Sequence, residues 1–173
     1  FSNDNFVYYN DPRVNVIQDD GRHFLAAQQQ LYDVISINIS DHTLLGSSVL
    51  FHDEFYNLVK KRLVANGVVV QYLFGDHIDL MIQTIRQTFP FLYFFPANKN
   101  GFNVVASLSK LNFGKEANQL YKKTKLVSAL KKLGFGDKLK VESYFKTMGV
   151  DRPTMGSFSE VITDRRPLLG STF

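Results

Sequence analysis

DPRVNVIQDDGRHFL, residues 11–25, opens as a strand and closes as a helix, with an acidic turn at the joint. Proline confines the residue before it to extended geometry. Asp11-Pro12 therefore leads into an apolar strand carried by Val14, Val16 and Ile17. Asp19-Asp20-Gly21 ends that strand, and the pattern predicts a helix over Arg22 to Gln30 with Phe24 and Leu25 facing inward.

The alternation continues downstream. YDVISINI at 32–39 is rich in β-branched residues, as a strand covered on both faces should be. After the polar loop SDHTLLGSS, Phe51, Phe55, Leu58, Val59 and Leu63 recur at helical spacing, and Asn66-Gly67 reads as the stop. VVVQYLF at 68–74 is a third strand, and Ile78, Met81, Ile82 and Ile85 mark a helix over 77–88 closed by Pro90. FLYFF at 91–95 and FNVVASL at 102–108 flank Asn100-Gly101, a strong hairpin signal. Strand and helix alternate and then two strands adjoin, which predicts an α/β sheet, parallel at first and closed by a C-terminal antiparallel hairpin. A lysine-rich helix over 115–133 and a short helix near 140–147 follow.

The 173 residues are enough for one real core, with 45% hydrophobic residues and 16 Phe to fill it. Zero cysteines exclude disulfides and thiolate chemistry and suit a reducing compartment. The longest apolar runs fall far short of the roughly 20 residues that cross a bilayer. Net charge is +4, but nine lysines stand against Glu116 and Asp137 between Lys110 and Lys140. That segment alone carries +7 and leaves about −3 for the remainder, so basicity is local.

Ligands of open α/β sheets sit beyond the carboxyl ends of the strands. Asp19, Asp20 and Gly21 fall at such an end, where a carboxylate accepts a hydrogen bond from an amino donor and glycine admits a flat ring. An Asp-Gly pair is in most proteins simply a turn. Asn38-Ile39-Ser40-Asp41-His42 stands at the next carboxyl end, and Asp41 or His42 there could orient an amine or act as a base; capping the following turn explains the same residues. His23, His42, His52 and His77 lack metal-ligand spacing, so no metal is expected. The lysine-rich helix places Leu120, Val127 and Leu130 on one side, which makes it first a surface helix with a solvated face. Phosphate or acidic-surface binding is the lesser reading, and nucleic acid is not the expected partner.

VNVIQDDGRHFL, LYDVISINISDH, LFHDEFYNLVKKRLVANGVVVQYL and VITDRRPLL, in this order and spacing, resemble the later half of the polyamine aminopropyltransferase (spermidine synthase-like) family, over about Asp11 to Leu111 and again Val161 to Leu169. The resemblance implies a Rossmann-like, methyltransferase-type sheet. It implies binding of decarboxylated S-adenosylmethionine, or S-adenosylmethionine in relatives, and aminopropyl transfer to an amine or polyamine. Asp20 matches the acid that holds the adenine amino group, flanked by Asp19 and Gly21. Asp41 matches the second acid of the loop that holds the amine, while the first acid, the family's base, falls on Asn38. Gln71 and Tyr72 match a Gln-Trp strand end in the substrate pocket. Arg166-Pro167 keep part of a TDDRP tail in which Arg165 reverses a charge, and His42 replaces a proline.

The family's glycine-rich nucleotide loop and ribose-binding acid lie upstream of Val14, and nothing here matches either. The expectation is therefore a fragment with its upstream strands missing, or a sheet completed by a second chain, in a homo-oligomer. By the same resemblance, residues 1–111 form the later portion of the catalytic domain and 112–173 a helical, lysine-rich extension with a TDRRP tail. The expected location is cytoplasmic, alone or as a domain fused to membrane segments. Two further readings stand beside transfer: a non-catalytic or methyl-transferring domain, and acidic-surface binding through the lysine-rich helix.

Overall fold

The computed structural model describes residues 11–39, 46–75, 77–98, 101–112, 121–122, 124–132, 134, 137–139, 143 and 161–165. In chain order the elements are α1 (Gly21–Ala27), β1 (Tyr32–Ile37), a 3-10 turn (Ser48–Phe51), α2 (Asp53–Lys61), β2 (Leu63–Phe74), α3 (Ile78–Thr88), β3 (Phe91–Asn98), β4 (Gly101–Ser107) and α4 (Thr124–Lys132). The four strands form one mixed sheet in the order β1-β2-β4-β3. β1 and β2 run parallel, while β4 lies antiparallel to both β2 and β3. This is the expected α/β sheet with its closing hairpin.

Strand alternation sends neighbouring side chains to opposite faces. Ile37, Val69, Leu73, Val104 and Leu92 turn toward α2 and α3, where they meet Phe51, Phe55, Val59, Met81 and Ile85 in a continuous core. α2 is amphipathic for that purpose, with Asp53 and Glu54 in its first turn and Lys60 and Lys61 in its last, each favourable to the helix dipole. Each fully buried Val, Leu, Ile, Phe or Met contributes roughly 1.5–3 kcal/mol. The other face carries Val34, Val70, Tyr72, Phe74 and Tyr93, and it is less completely covered: Val34 is 55% exposed.

Four sequence expectations are corrected. Residues 14–18 form no strand. Val14, Val16 and Ile17 are exposed, because extended chain becomes a strand only beside a partner and no described strand lies there. The start of this segment is instead held by a local turn in which Arg13 donates to both carboxylate oxygens of Asp11. The helix expected over 22–30 is the shorter Gly21–Ala27, ending where Gln28 becomes extended.

Asn66-Gly67, read as a helix stop, lies inside β2. α2 has already ended at Lys61, and β2 shifts register here, from Tyr32↔Leu63 to Val34↔Val68. A Cβ on Gly67 would stand 3.0 Å from both the Tyr32 carbonyl oxygen and the Leu63 side chain, so the close approach of two backbones demands glycine. The helix expected over 51–63 is likewise split into a 3-10 turn and α2. Of the lysine-rich helix, Thr124–Lys132 is described; most of the short helix near 140–147 lies outside the described residues.

Candidate ligand site at the carboxyl end of β1

The acidic turn folds as a helix cap. Asp20 is extended, and its Oδ1 accepts from the His23 backbone N–H at 2.8 Å, while its own N–H donates to Asp19 Oδ1 at 2.8 Å. An aspartate side chain is the usual partner for one of the orphan donors at a helix start. Capping brings Gly21 to the front of α1 and directs Phe24 and Leu25 toward β1.

Between α1 and β1 lies a cavity of about 360 Å³, within the size range of small-molecule sites. Gly21, Phe24 and Leu25 form one wall, Asn38 and Ile39 lie at the carboxyl end of β1, and Leu50 and Phe55 close the side toward α2. The wall includes the consecutive residues Val34, Ile35 and Ser36. Consecutive residues point to opposite faces of a strand, so the hollow runs along the lateral edge of β1 as well as beneath its end. Aromatic and aliphatic groups dominate the lining, as a flat apolar ring requires.

Two of the sequence-derived site residues, Gly21 and Asn38, meet at this cavity. Asp19 and Asp20 are exposed beside it, outside its wall. Asp41 lies outside the described residues. Gln71 and Tyr72 are divided by strand alternation. Gln71 is 2% exposed on the helix-facing side; its Oε1 accepts from Tyr56 Oη at 2.7 Å and its Nε2 donates to the Leu50 carbonyl at 3.3 Å. Burial pushes the Tyr56 phenol far above its ordinary value, so it remains a neutral donor. Tyr72 stands on the opposite face, stacked on Phe74 with ring centroids 5.2 Å apart.

The sequence reading missed the residues that connect this cavity to the tail. Asp164 receives a bidentate pair from Arg22, Nη1 to Oδ1 at 2.8 Å and Nη2 to Oδ2 at 2.6 Å. His52 Nδ1 lies 2.7 Å from the same Oδ1, and the Asp164 backbone N–H donates to Glu54 Oε2 at 3.0 Å. The Arg22 guanidinium, followed by His52, holds the Asp164 carboxyl well below the usual carboxylate range, and Asp164 in turn raises Arg22. His52, Glu54 and Asp164 place ligand-type atoms within 4.8 Å of one another, but Arg22 already supplies the cation that Asp164 needs. The tail motif was visible in sequence, yet its weight was put on Arg165-Arg166-Pro167, one residue past the carboxylate that makes the contact.

Residues 1–89 match the family model described as the spermine/spermidine synthase domain. Among curated proteins, polyamine aminopropyltransferase 2 of Pseudomonas aeruginosa is 33% identical over 101 residues, 54% of this chain and 29% of its own length. Polyamine aminopropyltransferase of Korarchaeum cryptofilum is 30% identical over 87 residues, 47% and 26% of the two chains. Putrescine N-methyltransferase 2 of Nicotiana tabacum is 36% identical over 80 residues, 46% of this chain and 22% of that one. The chain thus spans under a third of the length of each of these relatives. Among solved structures, a spermidine synthase in complex with the transition state analogue AdoDATO superposes with a TM-score of 0.54 at 23% identity, covering 60% of this chain and 39% of that one. Human methyltransferase-like protein 13 in complex with SAH gives 0.52 at 20% identity, covering 82% and 62%. These two likenesses concern the fold.

Proposed function

The chain belongs to the spermine/spermidine synthase family, and on that premise we propose that the cavity beside β1 receives the adenosyl part of decarboxylated S-adenosylmethionine or S-adenosylmethionine. In this reading the whole protein moves an aminopropyl group from the sulfonium to an amine or polyamine. The carrying observation is the meeting of Gly21 and Asn38, one from each of the two loops read as ligand loops, in one apolar hollow. Phe24 and Leu25 would flank the purine, and Asp20, one residue before Gly21, would take its amino group.

A sulfonium is already a good leaving group, so the protein's task is to align the amine, accept its proton and exclude water. Asn38 stands where the family carries an acid, and an amide has no useful basicity at neutral pH. Proton removal then falls to Asp41 or to solvent. The open flank of β1 would be completed by further strands, from the same polypeptide or from a second copy. Methyl transfer to a diamine is the second reading, favoured by the 36% identity to the tobacco putrescine N-methyltransferase. A degenerate, binding-only domain is the reading that both activities must defeat.

Calorimetry of the full-length protein with 5′-methylthioadenosine tests the site; saturable heat is expected, and none at millimolar nucleoside would remove the proposal. Incubation with putrescine and either donor, followed by the mass of the amine product, separates aminopropyl from methyl transfer. No product with either donor, despite binding, would leave the binding-only reading.

A further inference from the structure

We propose that Asp164 is a positioning residue for the cavity wall: through Arg22 it sets α1, and so the placement of Gly21 and Phe24, from a point 142 residues away in sequence. As a statement about ligand affinity this rests on reading the cavity as an adenosyl site.

α1 has seven residues, too short to hold its shape without outside contacts. Three attachments are visible. Leu25 is buried in the core. Arg62 donates to the carbonyls of Leu25 and Ala26 at the far end of the helix, at 3.1 and 3.2 Å. The near end, beside Gly21, is held by the Arg22–Asp164 pair. A cation in the first turn opposes the helix dipole, and the acid at the N-cap of α1, Asp20, is already engaged with the His23 N–H. Arg22 therefore directs both Nη groups to Asp164 and not to its own helix.

The carboxylate that grips it is itself fixed. Ile162 is 1% exposed, its N–H donates to Thr84 Oγ1 at 3.0 Å, and its carbonyl accepts from the Asp53 N–H at 2.8 Å. Asp164, two residues on, is tied to Glu54 and to His52, whose ring is almost wholly buried. A carboxylate is an acceptor, so His52 donates through Nδ1. The stub 162–164 is therefore anchored on α2 and α3, and Asp164 projects from it as a fixed point for the short α1. A purely stabilising ion pair could sit anywhere; this one ends on the residue adjoining the cavity glycine.

The test uses the full chain with Asp164→Asn, Arg22→Gln and the double variant, read by amide hydrogen exchange and by calorimetry with 5′-methylthioadenosine. Faster exchange confined to amides 23–27 is expected in all three. Nucleoside binding should weaken roughly fivefold to tenfold in each single variant and no further in the double, because one link is being cut twice. Arg22→Gln keeps the first methylenes of the side chain and leaves the anchored 162–164 stub unchanged, so it stands if Asp164→Asn fails to fold. A lower melting temperature with unchanged exchange in α1 and unchanged affinity would overturn the proposal. If the wild type binds no nucleoside while α1 loosens in the variants, the anchoring role stands and the adenosyl reading falls. If neither occurs, both fall.

Discussion

The pair Tyr56–Gln71 offers the sharpest test of the packing. Tyr56 is 0% exposed and Gln71 is 2% exposed, and the phenol donates across 2.7 Å to the amide oxygen. Tyr56→Phe keeps the ring and deletes the donor, leaving Oε1 buried without that partner. An unsatisfied buried acceptor costs about 1–3 kcal/mol. For a chain of this length about 2 kcal/mol corresponds to a fall in Tm of roughly 4–8 °C. Gln71→Met strands two groups, the Tyr56 hydroxyl and the Leu50 carbonyl, and should cost at least as much. Combining the two substitutions removes donor and acceptor together, so the double variant should recover at least about 1 kcal/mol relative to the sum. Urea titration at neutral pH reads all four proteins. Because burial keeps the phenol neutral, the coupling should not change between mildly acidic and mildly alkaline buffer. A cost for Tyr56→Phe below about 0.5 kcal/mol, or strict additivity in the cycle, would show that the hydrogen bond contributes nothing.

The remaining expectations are shorter. Gly101→Ala would set a Cβ 2.6 Å from the Tyr72 hydroxyl; it should cost about 1–3 kcal/mol by overpacking, measured by thermal unfolding, and it should cost much less in a Tyr72→Ala background. Asp164 is depressed when folded, so its stabilising contribution is complete above the unfolded value of about 4 and is lost as pH falls through the lower folded value. Asp164→Asn should flatten the acid limb of a stability profile below about pH 4, by under about 1 kcal/mol because a side chain 43% exposed is screened; an unchanged limb would exclude the link. If slow aminopropyl transfer exists, Asn38→Asp should raise its rate about 100-fold by restoring a base, the low end of the range for general-base catalysis. An unchanged rate in a folded protein would show that residue 38 is not at the amine.

The alternation of β1, α2, β2 and α3 and the closing hairpin were legible because each signal is local: apolar period, helix breakers and Asn100-Gly101 act within a few residues. Residues 14–18 show where such signals end. Val14, Val16 and Ile17 have the composition of a strand, but a strand is a pairing, and the sequence of one segment cannot state what lies beside it. Asn66-Gly67 misled for a related reason. The dipeptide favours a turn when isolated, and only the pairing of β2 with β1, where the Tyr32 carbonyl leaves no room for a Cβ on Gly67, makes it part of a ladder. At the cavity, Gly21 and Asn38 were found from loop position and family likeness. Gln71 was found as a residue of interest, but its partner Tyr56 lies on another element, 15 positions away. The Arg22–Asp164 link spans almost the whole chain, beyond any window of periodicity.

β4 bears on how the molecule is made. Among the described residues it is the last strand of the sheet to be synthesised, yet it sits between two earlier ones, β2 and β3. While the ribosome is still adding residues up to Gly101, those two flanks have no neighbour to bond with. Translation at roughly 5–20 residues per second leaves the β2 flank bare for about 2–7 seconds and the β3 flank for about 0.5–2 seconds, and termination between Asn98 and Ser107 would leave both so permanently. Shortened products should therefore be the species that chaperones retain or that proteases remove.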